Sequence, residues 1–294
     1  MNILLGSNHL VRTGGTETFV YALAESLQKM GHNVEYFSFE RGEVSSKLEK
    51  IGIRFMSKNK YDLILANHKP VVDFLVGRGV IIQTCHGHLM GLEAPSQCAN
   101  LYVSISEETR SYLLKHGKRS VLIYNGINCN RFSPIVPINE KLRVVLSLCQ
   151  SNIANDFVRR CCNSIGVTFI KSDKNIENKW EIEETINKAD LVVGIGRSLY
   201  DAMASGRAVI SYDFRSYMRE AIGDGYLNEG NIENSLLCNC SGRSSHRSFT
   251  ETEFIEELKK YNTRDGAYLR RFAEKKLNMD INSQKYIDLY RIMA

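Results

Sequence analysis

The chain has 294 residues, more than one ordinary core needs and enough for about two domains of roughly 100–200 residues each. Hydrophobic residues at 43 % and charged residues at 24 % exclude a disordered chain and match a soluble globular one. The net charge of +5, from 38 basic and 33 acidic residues, is too thinly spread to argue for nucleic acid, and it suits an anionic small ligand or a lipid surface.

Short aliphatic and β-branched runs at residues 2–6, 33–37, 62–66, 80–84, 101–105 and 120–124 read as strands of the first half. Between the first two, Phe19, Leu23 and Leu27 recur at helical spacing, with Val20 and Met30 flanking the same face. Thr16 is placed to cap the start of that helix and Gly31 its end. Pro134 and Pro137 interrupt residues 128–141, which read as a linker. Strands follow at 143–148, 167–170, 191–194 and 208–212, alternating with helices at 156–164, 181–188 and 198–204. The last 45 residues read as helices at 251–261, 268–276 and 283–293. Such alternation predicts an α/β fold of two doubly wound parallel lobes.

The eight cysteines include an adjacent pair, Cys161 and Cys162, and a close pair, Cys238 and Cys240, without zinc-ligand spacing. Reduced, mostly buried thiols are expected. The N-terminus lacks a basic, then apolar, export signal, and no apolar run reaches the ~18–20 residues of a membrane span. A cytoplasmic protein, able to lie against the inner face of a membrane, is the expectation.

Two segments carry chemistry. Gly14, Gly15, Thr16 and Glu17 open the first helix after a strand, where bare backbone and helical amides suit a phosphate. Residues 191–213 run strand, glycine turn, helix, strand, with Gly194 and Gly196 in the turn and Asp213 closing the second strand. That spacing imitates a dinucleotide fingerprint, but its third glycine position is Leu199, and only about 80 residues follow for the remaining strands. A nicotinamide or flavin site is therefore disfavoured.

The same segment resembles the nucleotide-sugar site of the family-4 retaining glycosyltransferases, whose helix reads like EAMA-x-G-x-P-V-I; here Asp201-Ala202-Met203-Ala204-Ser205-Gly206-Arg207-Ala208-Val209-Ile210 stands in its place. Gly14-Gly15-Thr16-Glu17 with Gly31-His32-Asn33-Val34 resembles the family's G-G-x-E and G-H-x-V segments. Gln83-Thr84-Cys85-His86-Gly87 is similar to its T-x-H-G strand end, and Val103 to Glu107 to its V-x-x-S-E stretch. Tyr124-Asn125-Gly126-Ile127-Asn128 with Phe132 and Pro134 is similar to the segment before its linker. Five segments in the right order cover about 200 residues.

The resemblance implies a GT-B fold. Its lobes would be an acceptor-side lobe at 1–134 and a nucleotide-sugar lobe at 135–279, with a helix at 280–294 returning to the first lobe and the active site in the cleft. It implies transfer of a sugar from a nucleoside-diphosphate donor to a hydroxyl acceptor with retention, without cofactor or metal. The absence of an Asp-x-Asp motif agrees with that. Implied partners are the donor and a saccharide or lipid-linked acceptor, in surface-polysaccharide or glycolipid synthesis, with peripheral membrane contact and no nucleic acid.

Asp201 takes the family's ribose-binding carboxylate position, and Gly14, Gly15, Gly194, Gly196 and Ser198 are the other donor contacts. His86 stands near the transferred sugar, while Thr16, Glu17, His88 and Asn125 lie on the acceptor side; His88 competes with His86 as the group pointing into the site. Two departures stand out. The first carboxylate of the family's acidic pair is Val193 here, and the phosphate-binding Arg and Lys are Gln150 and Asn155. Arg197 is the replacement cation expected, with Lys171 second. The rival readings are a nucleotide-sugar epimerase on the same fold and a non-catalytic nucleotide- or partner-binding subunit.

Overall fold

The computed structural model describes residues 1–87, 91–172, 180–216 and 218–293. The chain divides into two compact units, Met1–Asn128 with Asn278–Ala294, and Cys129–Leu277.

The first unit is a parallel seven-stranded sheet in the order β3-β2-β1-β4-β5-β6-β7, built from β1 (Asn2–Leu10), β2 (Asn33–Arg41), β3 (Arg54–Phe55), β4 (Leu63–Ala66), β5 (Val80–Cys85), β6 (Leu101–Ser104) and β7 (Ser120–Leu122). Its helices are α1 (Gly15–Lys29), α2 (Glu43–Lys50), α3 (Lys69–Phe74) and α4 (Glu107–Lys115), joined by the C-terminal α11 (Met279–Met293). Strand residues such as Ile3, Leu4, Ile64, Leu65 and Ile82 are fully or almost fully buried, as expected for a sheet covered on both faces.

Phe19, Leu23 and Leu27 form the buried stripe of α1. Gly31, at φ +83°, ends the helix: its N–H bonds Gln28 O at 2.9 Å and the His32 N–H bonds Leu27 O at 3.1 Å, a Schellman closure. The start differs from expectation. The N-cap is Gly14, and Thr16 lies inside the first turn, because the Glu17 side chain folds back over that turn as described below.

Two motif segments have structural work here. Ser106 caps α4 by accepting the Thr109 N–H at 3.1 Å. A Cβ on Gly126 would stand 2.8 Å from Met279 Cα, so the close approach of α11 requires glycine. α11 is held further by Asp280, which accepts from Ser26 and Lys29 at 2.9 Å each, and by Tyr286, whose hydroxyl is 2.9 Å from Thr84 Oγ1.

The second unit has a five-stranded sheet in the order β12-β11-β10-β8-β9, from β8 (Val144–Ser147), β9 (Thr168–Lys171), β10 (Leu191–Gly194), β11 (Ala208–Asp213) and β12 (Ile222–Leu227). All its pairings are parallel except β11–β12. The helices are α5 (Asn152–Ser164), α6 (Ile182–Asn187), α7 (Arg197–Ala204), α8 (Ile232–Leu237), α9 (Glu251–Lys259) and α10 (Thr263–Lys276). Cys149, Val193, Ile210, Tyr212 and Phe254 belong to one buried cluster. All eight cysteines are free, six of them buried.

Both sheets reverse their winding beside a central strand. In the first unit the chain winds from β1 to β2 and β3, then returns to place β4 on the other side of β1; in the second it winds from β8 to β9 and returns with β10. Open α/β sheets bind ligands at such reversals, beyond the carboxyl ends of the strands.

Candidate functional site

In the first unit, β1 and β4 end at their reversal with Asn8 and His9 on one strand, and Asn67 and His68 just past the other. The Asn8 N–H donates to His68 Nδ1 at 3.0 Å, which puts the proton of the neutral ring on Nε2. That nitrogen lies 3.6 Å from Glu93 Oε1. His9 and His68 stack with centroids 5.7 Å apart, and His9 Nε2 is 3.0 Å from Glu17 Oε1.

His86 follows β5 and joins this cluster. The Asn67 amide donates to Gly6 O at 3.0 Å, so its Oδ1 accepts from His86 Nε2 at 2.9 Å. The lone pair of the neutral His86 ring therefore sits on Nδ1. Phe19 meets the ring edge-on at 5.0 Å, and the His86 N–H donates to Glu93 Oε2 at 3.1 Å. Burial outweighs the nearby histidines and holds the Glu17 carboxyl above its usual range. For Glu93 the His68 hydrogen bond and the two imidazoles overcome burial, and its carboxyl lies below the usual range.

Glu17 also changes the reading of the glycine turn. Its carboxylate accepts its own backbone N–H, and a Cβ on Gly14 would stand 2.2 Å from Glu17 Oε2. An internal carboxylate thus already covers part of the α1 N-terminus that the sequence offered to a phosphate. Gly15 is exposed, with nothing within 4 Å of an added Cβ. Asn125, in the loop after β7, is 7 % exposed, and its Oδ1 has no hydrogen-bond partner among the described residues. His88 lies outside the described residues. The sequence reading missed His9, Asn67, His68 and Glu93; for the first three the signal available was their position at strand ends, hidden because β1 continues past its apolar run, while Glu93 lies in the connection between β5 and β6 with no local mark.

In the second unit, β10 ends at Gly194 and a two-residue turn leads into α7. Gly196 is the N-cap, at φ +58° and ψ −131°, a conformation that glycine adopts without strain. The first amides of a helix have no intrahelical acceptor, so the turn presents the positive end of α7. Arg197 is the first helical residue, only 10 % exposed at its side chain, with Nε 4.0 Å from Asp201 Oδ1 one turn on. A cation there is opposed by the helix dipole at about 0.3–1 kcal/mol. Burial lowers its proton affinity, Arg131 adds to that, and Asp201 counters both. A buried arginine so placed is favoured when an anion joins it.

Ser198 is buried in the first turn of α7. Val193 is fully buried inside β10, so no carboxylate could reach the turn from that position. Lys171 ends the edge strand β9 and donates to Asn152 Oδ1 at 2.8 Å. Asp213 is spent on structure. It is 1 % exposed, accepts the N–H groups of Phe214 at 2.8 Å and Gln150 at 3.2 Å, and lies 2.7 Å from Arg215 Nε. Asn155 is not a phosphate ligand either, since its Nδ2 donates to Cys149 O at 3.0 Å and Ser151 O at 2.8 Å.

The structure thus gathers Glu17 and His86 with His9, His68 and Glu93 in one unit, and Gly194, Gly196, Arg197, Ser198 and Asp201 in the other. Among the described residues no group of three or more His, Cys, Asp or Glu could hold a metal ion, and no helix is long and apolar enough to cross a membrane.

No protein-family model and no curated protein sequence matches the chain. Solved structures do. A complex of HepE from Anabaena with UDP superposes with a TM-score of 0.63 at 16 % identity, covering 98 % of this chain and 99 % of that one. MurG from Acinetobacter baumannii gives 0.58 at 10 % identity, with 99 % of both chains covered. An alpha-glucosyltransferase in complex with UDP and a 13-mer DNA gives 0.59 at 13 % identity, again with 99 % of both chains covered. The fold is that of the GT-B glycosyltransferases.

Proposed function

We propose that this protein transfers a sugar from a nucleoside-diphosphate donor to a hydroxyl acceptor, with retention at the anomeric carbon, as a family-4-like glycosyltransferase. The observation that carries the reading is the Arg197–Asp201 pair at the N-terminus of α7, beside the winding reversal of the second sheet. The five ordered motif segments support it, as do the UDP complexes among proteins of the same fold.

In this reading the Asp201 carboxylate accepts from the two ribose hydroxyls, which an acceptor-only group with several lone-pair sites does well. The Gly194–Gly196 turn, Ser198 and the first amides of α7 receive the diphosphate, and Arg197 takes up the charge that grows on it as the sugar departs. Stabilising that charge is the main catalytic contribution. His86, its Nε2–H held by Asn67, binds the transferred sugar, and the departing phosphate oxygen receives the proton of the incoming hydroxyl on the same face. Gly14 and Gly15 leave room for the donor beside α1. Thr16, Glu17, His88 and Asn125 serve the acceptor, a saccharide or lipid-linked saccharide of surface-polysaccharide or glycolipid synthesis. The reaction takes place in the cytoplasm or at the inner membrane face, without metal, cofactor or nucleic acid.

The test is a thermal-shift panel of UDP, GDP, CDP, ADP and NAD, followed by turnover of the matching nucleotide sugars with the product anomer read by NMR. A ligand at 100 times its Kd adds about 2.7 kcal/mol, roughly 5–10 °C for a unit of this size. Stabilisation by a nucleoside diphosphate and a product with the donor's anomeric configuration are expected. Stabilisation by NAD alone would sink the proposal. Conversion of the donor sugar without acceptor would favour an epimerase, and binding without turnover a non-catalytic subunit.

A further inference from the structure

Beside the ends of β8 and β11 lies a pocket of about 350 Å³ lined by Gln150, Ser151, Phe214, Arg215, Ser216 and Met218. Among the described residues of that lining, Arg215 is the one charged side chain. It is 18 % exposed, and among the described residues its guanidinium has Asp213 as its one partner, through Nε at 2.7 Å. Its two Nη groups are therefore available to an acceptor in the pocket. Asp213 does not oppose such an acceptor openly. Its carboxylate is 1 % exposed and turned to the amides of Gln150, Ser151 and Phe214.

Strand register fixes where the pocket stands. Ser147, Val193 and Ile210 pair across β8, β10 and β11 at one level. Three residues further along each strand come Gln150, Gly196 and Asp213, at one rim with strands about 4.7–4.9 Å apart. The pocket thus stands at the same carboxyl-end rim of the sheet as the Gly196–Arg197 turn. Asn155 holds the carbonyls of Cys149 and Ser151 on either side of Gln150.

We infer that this pocket binds a phosphoryl group of the donor nucleotide, with Arg215 as its cation. The inference rests on the nucleotide-sugar reading and adds a residue to it. Arg215 supplies from the end of β11 the charge that Gln150 and Asn155 do not supply after β8. A planar guanidinium presents its Nη fork to two phosphate oxygens at once.

The test is calorimetric titration of UDP and, separately, inorganic pyrophosphate into wild type, Arg215→Ala, Arg215→Gln and Asp201→Ala, with circular dichroism melting as the folding check. Loss of a charge-assisted pair predicts about ten- to hundredfold weaker binding of both ligands to the two Arg215 variants. Asp201→Ala should weaken UDP more than pyrophosphate, since only UDP carries the ribose hydroxyls. If Arg215→Ala fails to fold, Arg215→Gln, which reaches as far as the Nε position and keeps an N–H donor there without the charged fork, decides. Wild-type UDP and pyrophosphate affinity in a folded Arg215 variant would overturn the inference and leave the proposed function standing. Pyrophosphate binding lost in the variants, with no nucleotide binding to wild type, would keep the pocket and sink the transferase reading. A wild type that binds neither overturns both.

Discussion

Arg207 gives the sharpest stability prediction in the second unit. It is 1 % exposed and, among the described residues, the largest fully buried side chain. Its Nε donates to Ser205 O at 2.9 Å, Nη1 to Ala189 O at 3.1 Å, and Nη2 to Val136 O and to Asn187 Oδ1, the latter at 3.0 Å. Asn187 in turn accepts the Ile135 N–H at 2.8 Å and donates to Ser133 O at 3.1 Å, so one guanidinium ties residues 133–136 to the segment between α6 and β10. Arg207→Met keeps much of the volume but removes four charged-donor hydrogen bonds, each worth about 1.5–3 kcal/mol. Relief of the buried charge offsets part of that, and the stranded oxygens leave a net cost of about 3–5 kcal/mol. At roughly 2–4 °C per kcal/mol, the calorimetric transition of this unit should fall by about 10 °C. A fall below 2 °C would refute the assignment of Arg207 as the tie.

The two first-unit carboxylates should respond to pH with opposite sign. Glu17 has its folded pKa above the ordinary 4.5, so the fold holds its proton more tightly and loses stability as pH rises through the raised value; Glu17→Gln should flatten that decline. Glu93 lies below 4.5, and its contribution, present above 4.5, is lost as pH falls through the depressed value; Glu93→Gln should lower Tm at pH 7 and remove the acid loss, both read from Tm between pH 3 and 8. Gly196→Ala should cost about 1–3 kcal/mol, because φ is +58° and the new Cβ would stand 3.3 Å from Asn239 Nδ2. Gly15→Ala, with open space at the Cβ, should stay within about 0.5 kcal/mol in the same denaturation assay. Iodoacetamide mass mapping should label exposed Cys98 first and spare Cys85 and Cys240, whose buried thiols are pushed up to about 12.

What could be read from sequence was what depends on neighbours along the chain. The Gly194–Gly196 turn and the helix behind it are legible because strand, glycines and amphipathic helix follow one another within fourteen residues, Leu191 to Ala204. β12 is not legible, since Gly223 and Gly225 break its pattern. Those glycines are there for space: a Cβ on Gly223 would stand 2.0 Å from Ser211 O. The His9–His68–Glu93 cluster depends on the pairing of β1 with β4, between residues about 60 apart, and on two strands whose apolar pattern ends before their hydrogen bonds do. The Thr16 cap was misread because a carboxylate one residue later covers the helix end, which a capping rule for Ser, Thr, Asp and Asn does not see. Arg215 escaped notice for a similar reason, since nothing local marks the end of β11 as lying beside the start of α5.

The most direct test of the central claim is a crystal structure of the protein with UDP. The account predicts the ribose hydroxyls within hydrogen-bond distance of the Asp201 carboxylate and the diphosphate over the Gly196–Arg197 turn. Nucleotide bound with its ribose away from Asp201, or bound only in the first unit, would contradict it.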